Sequence, residues 1–140
     1  MSPFLTLFWL ALLLLAGASV RWGGPSEKLV ALMYVAAAVL TAATRSAFEL
    51  RYQEVELAVF ATDVLLFGGL AMVAVRSGRW WVICAAALQC LAMLSHLGKL
   101  LNPTLWRLGY QLMATWSAWP AIALLGVGIW THAKTITRRT

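Results

Sequence analysis

VELAVFATDVLLFGGLAMVAVRSGRWWVICAAALQCLAMLSHLGKLL, residues 55–101, decides how this chain is read. Two apolar runs flank a short polar step, Arg76-Ser77-Gly78-Arg79. Each run is about as long as a bilayer-crossing helix, which takes about 20 residues at 1.5 Å rise. Ser77-Gly78 is turn chemistry. The stretch predicts an antiparallel helical hairpin in a membrane, with spans at about 55–75 and 80–101. The returning arm carries a puzzle. Within LQCLAMLSHLGKLLNP, residues 88–103, it places Gln89, His96 and Lys99 where hydrocarbon favours leucine.

The same pattern extends in both directions. Apolar segments at about 3–20, 29–46 and 104–130 make five predicted spans in all, in one 140-residue all-α membrane domain with short loops. A basic tail, 131–140, follows. The second segment is short, and is expected to extend toward Phe48 or to sit where the bilayer is thin. Gly23-Gly24-Pro25 ends the first helix, and Ser26 is the expected cap of the second, with Glu27 in its first turn. Asn102-Pro103 is the expected start of the fifth. Ala16-Gly17-Ala18 resembles a cleavage site, but no positive n-region precedes it, so the first segment is read as an uncleaved span.

Composition supports the membrane class. Hydrophobic residues make up 62% of the chain and charged residues 11%, with a mean hydropathy of +0.81. Soluble domains carry about 45–50% apolar and about 25% charged residues. The net charge of +6 does not mark a nucleic-acid binder, because the cations stand singly at the ends of apolar runs. With five spans, Arg21, Lys28, Arg76, Arg79, Lys134, Arg138 and Arg139 share one side, seven against the four of Arg45, Arg51, Lys99 and Arg107. The richer side is expected to be cytoplasmic, which puts the N-terminus outside and the C-terminus inside. Trp22, Trp80, Trp81, Trp106 and Trp130 fall near the predicted interfaces. At the tail, an attraction for anionic lipid headgroups adds to this.

Asp63 is the one acid well inside an apolar span, about 12 Å from its start at 1.5 Å per residue. Counting both arms from Ser77 puts it level with residue 91, beside Gln89, and puts Glu56 level with residue 98, beside His96 and Lys99. Glu56 and Asp63 are seven apart and share a face, as do Gln89 and His96, with Lys99 following. The expected pairs are Asp63 with Gln89, and Glu56 with Lys99 or His96. Gly68, Gly69 and Cys84 to Ala87 are expected to let the two arms approach in the other half. This polar ladder has two readings. In one it is a clasp that fixes helix packing. In the other it lines an entrance for a proton or small cation ending at Asp63. A second oddity is TWSAWPA, residues 115–121. Pro120 is expected to kink a continuous span, and Trp116 and Trp119 make either bulky packing or an aromatic ligand surface.

Other chemistries find no support. The sequence has no G-x-x-x-x-G-K-[ST], H-E-x-x-H or G-x-S-x-G motif. Cys84 and Cys90 lie six apart on one helix and cannot bridge. His96 and His132 belong to opposite sides, so neither a shared haem nor a zinc site is expected. No cofactor, no metal and no enzymatic activity are expected. The expected partners are the lipid bilayer and other membrane subunits or copies of the chain. The leading expectation is an accessory or scaffold subunit or homo-oligomer. The alternative is a small proton- or cation-coupled transporter or channel.

Overall fold

The computed structural model describes residues 3–44, 57–101 and 117–138, with the side chains of Lys99 and Leu100 left aside. The described residues form five helices and no strand: α1 Pro3–Trp22, α2 Pro25–Thr44, α3 Leu57–Ser77, α4 Trp80–Leu101 and α5 Ala118–Thr137. Four of them, α1 to α4, are long and apolar enough to cross a membrane.

The helices form a closed ring in chain order. Each packs on its neighbours in sequence, α5 returns to α1, and α2 also touches α5. The α1–α2 and α3–α4 connections are too short for anything but antiparallel pairs. α5 runs alongside α1 in the same direction. Trp119 packs tilted against Phe4 and edge-on against Phe8, with ring centroids 5.1 and 5.9 Å apart, and His132 at the far end of α5 lies over Gly24. One end of the bundle thus gathers the 22–25 turn, the 77–80 turn and the C-terminal end of α5. Arg21, Lys28, Arg76, Arg79, Lys134 and Arg138 all lie there, and it is called the basic end below.

A narrow core runs along the axis through Leu12, Val30, Leu70, Val82 and Leu125, all fully buried. Most leucine and valine is outside: Leu14 is 73%, Leu65 72% and Val75 86% exposed. A soluble domain does not present contiguous apolar surface of this extent. Such a surface suits hydrocarbon.

Local chemistry explains the helix ends. Gly78 sits at φ +61°, the left-handed conformation that favours glycine, and its N–H bonds Ala74 O at 2.9 Å to close α3. α2 starts earlier than expected, with Gly24 rather than Ser26 at the cap. Lys28 N–H bonds Gly24 O at 3.1 Å, Pro25 takes the first helical position and Glu27 the third. The added turn gives α2 20 residues. Its short apolar run is therefore extended toward the basic end; Phe48 lies outside the described residues.

α5 also differs from expectation. The described part of α5 begins at Ala118, after Ser117, which keeps helical dihedrals (φ −61°, ψ −24°) and makes no side-chain cap bond. The kink expected at Pro120 in a continuous span turns on residues 104–116, which lie outside the described residues. α5 continues past Trp130 to Thr137, so most of the predicted tail is helix and His132 belongs to the bundle. The expected small-residue seam is also redistributed. A Cβ on Gly69 would meet Met33 Sδ of α2 at 2.6 Å, Gly68 faces open space and Cys84 is exposed, while Ala85 and Ala86 are buried. A further close contact is at Gly128. A Cβ there would stand 2.5 Å from the ring of Trp81, which is 2% exposed. Glycine at 128 lets a tryptophan lie flat on the α5 backbone.

Candidate functional sites in the bundle

Two carboxylates are described, and each is the centre of a polar cluster. The first lies between α3 and α4. Gln89 Nε2 donates to Asp63 Oδ1 at 2.9 Å, and His96 Nε2 lies 3.0 Å from Asp63 Oδ2. Each oxygen of one carboxylate thus meets a side chain from a different turn of α4. Phe60, one turn before Asp63, packs its ring 5.9 Å from that of His96. His96 is 4% exposed, and the Asp63 side chain is mostly shielded.

His96 was expected opposite Glu56, level with its own Cα. The structure brings it to Asp63. Long helical side chains lean toward the N-terminus of their own helix. On α4 that direction is toward the basic end, and on antiparallel α3 it is away from it. His96 and Asp63 therefore converge from about one turn apart, while Gln89 spans its offset by length. Glu56, the side chain of Lys99 and Trp116 lie outside the described residues. Trp119 is described, and its ring is occupied by Phe4 and Phe8 of α1.

The second cluster is at the basic end and joins α2, α4 and α5. Glu27 is 0% exposed. Its Oε2 accepts the N–H of Gly24 at 3.0 Å, the returning half of a capping box. Its Oε1 accepts from Arg79 Nη1 in an ion pair. Arg79 Nη2 lies 3.4 Å from His132 Nδ1, a long contact. Gly24 is confined by this arrangement: a Cβ there would stand 2.6 Å from His132 Cε1 and 3.0 Å from Glu27 Oε2. The ion pair explains how α2 carries a carboxylate into its packed first turn. An isolated buried charge would be strongly unfavourable, and a paired, hydrogen-bonded one is tolerated.

Reading the sequence missed this cluster, because each member had a local explanation. Glu27 suited a helix N-terminus, and Arg79 and His132 suited a membrane edge. The available signal was their common level. All three lie within a few residues of helix ends that meet at one end of the bundle.

The remaining buried hydroxyls are mostly satisfied within their own helices. Thr62 Oγ1 donates to Ala58 O at 2.9 Å and Ser19 Oγ to Ala16 O at 2.7 Å. Two buried polar atoms have no hydrogen-bond partner among the described residues, Tyr34 Oη and Trp81 Nε1. No group of three or more His, Cys, Asp or Glu side chains suited to a metal ion occurs among the described residues. A cleft of about 480 Å³ opens at the basic end, lined by Arg79, Trp80, Trp81 and His132 among others, and not by Asp63, Gln89 or His96.

No protein-family model, no curated protein and no solved structure matches the chain. Function therefore rests on the geometry.

Proposed function

We propose that this chain is a small integral membrane protein whose role is assembly: an accessory or scaffold subunit, or a homo-oligomer, with buried polar clusters that fix how its helices pack. In this reading all five described helices lie in the membrane, the basic end is cytoplasmic and the N-terminus is outside. No catalysis is assigned to it.

One observation carries the reading. Both described carboxylates have both oxygens engaged by protein groups: Asp63 by Gln89 and His96, Glu27 by Gly24 and Arg79. Apart from the Gly24 cap of α2, these contacts cross between elements, so they fix helix order and rotation. In membranes such contacts contribute about 0.6 kcal/mol on average and up to about 1.7, enough to choose among packings of similar energy. The apolar outer faces of the helices are then free to meet lipid or other subunits.

The second reading is a proton- or cation-coupled transporter that uses Asp63. A specific feature favours it. The half of the bundle toward the basic end is less apolar than the hairpin alone suggests. It holds the hydroxyl of Tyr34, which has no partner among the described residues, about 10 Å along α2 from Glu27 at 1.5 Å per residue. Flux separates the two readings. Reconstituted alone into vesicles, the chain is expected to pass neither protons nor small cations under an imposed gradient. A flux that Asp63→Asn abolishes while the protein still folds overturns the assembly reading in favour of transport.

A further inference from the structure

The geometry points to a phosphate-binding cleft between the start of α4 and the end of α5 that takes the headgroup of an anionic phospholipid. The inference rests on the membrane reading above and adds a ligand to the basic end. The cleft, about 480 Å³, is lined by Gly78, Arg79, Trp80, Trp81, Thr131, His132, Thr135 and Ile136. Its volume lies in the range of about 300–1,000 Å³ usual for small-molecule sites.

Two features select an anion. The first is a held guanidinium. Arg79 is pinned from behind by Glu27 and His132. Those two engage only part of a group that has five N–H donors, and its side chain is about one-third exposed. Its planar fork matches two phosphate oxygens. Trp81 lines the cleft beside it. The second is the field. Arg21, Lys28, Arg76, Arg79, Lys134 and Arg138 surround this end, and Glu27 is its one acid among the described residues. The sum is a positive potential at the cleft mouth.

The surroundings select a lipid over a free ion. Trp80, 57% exposed on the cleft wall, and Ile136 supply apolar surface for a glycerol backbone and the first chain methylenes. Exposed Trp22 and Trp130 stand at the same end, where tryptophan meets the headgroup layer. Basic pockets between membrane helices on the cytoplasmic side bind anionic headgroups by this chemistry.

Native mass spectrometry of the chain, released from micelles holding equimolar phosphatidylglycerol and phosphatidylcholine, tests the cleft. The wild type is expected to retain phosphatidylglycerol by about tenfold over phosphatidylcholine, in line with a bidentate charged contact. Arg79→Lys keeps a cation for Glu27 and removes the fork; it is expected to lose most of that preference. Thr135→Trp, at an exposed position on the cleft wall, fills the space and is expected to abolish retention while circular dichroism stays unchanged. Equal retention of both lipids, or a preference untouched by both variants, overturns the site. Displacement of the lipid by millimolar inorganic phosphate identifies the free anion as the ligand and overturns the lipid assignment. Release of the chain from membranes by alkaline carbonate alone marks failure of the membrane reading itself, separately from failure of the cleft.

Discussion

Arg79→Ala removes the counter-ion of a carboxylate that is 0% exposed. Glu27 is then left with a single described donor, the Gly24 N–H. Breaking a buried pair by deleting one partner costs about 3–5 kcal/mol, because the remaining charge stays buried and uncompensated. Glu27→Gln acts on the other side of the pair. The amide oxygen still accepts from Gly24, and Arg79, one-third exposed, turns to water or lipid headgroups. Its cost is therefore about 1–2 kcal/mol, that of a lost charged hydrogen bond. In the double variant the buried charge is gone, so it is expected to resemble Glu27→Gln. The coupling in the cycle is then about 3–5 kcal/mol in size, the whole cost of Arg79→Ala. Reversible unfolding in mixed detergent micelles, as the fraction of sodium dodecyl sulfate rises, measures all three. Tryptophan fluorescence reports directly, since Trp80 and Trp81 follow Arg79 in sequence. A loss below about 1 kcal/mol in Arg79→Ala, or equal losses in the two single variants, refutes the claim that the pair is a buried lock between α2 and α4.

Other substitutions separate the contacts one at a time. Asp63→Leu strands both Gln89 and His96 and is expected to cost about 1–3 kcal/mol in the same titration, whereas Asp63→Asn, which still accepts from Gln89, stays within about 0.5. Gly128→Ala pushes a methyl into the Trp81 ring and is expected to cost about 1–3 kcal/mol. Gly68→Ala meets nothing within 4 Å and is expected to be neutral or slightly stabilising by melting temperature. Gly78→Ala forces a Cβ into a left-handed turn and is expected to lower stability by about 1–2 kcal/mol without changing helix content by circular dichroism.

Much of this architecture is written in local patterns. The α3–α4 hairpin follows from two apolar runs and one Ser-Gly turn, and depth counting from that turn is enough to bring Gln89 to Asp63. Depth counting misplaces His96, because it treats side chains as perpendicular to the helix when they lean toward its N-terminus. The 131–140 segment reads as a tail because its apolar run stops at Trp130, yet helix propensity carries α5 on to Thr137. The Glu27–Arg79–His132 cluster was hardest to see. Its members are separated by 52 and 53 residues, and they meet only once the ring of helices is closed. A search for equal depth across every turn at one end, rather than within one hairpin, would have paired Glu27 with Arg79.

The most direct test of the assembly role is the mass of the particle extracted gently from its native membrane, read by native mass spectrometry. The account predicts a defined complex, either several copies of the 15.3 kDa chain or the chain in fixed ratio with a larger membrane protein. A homogeneous monomer that carries only lipid would contradict it.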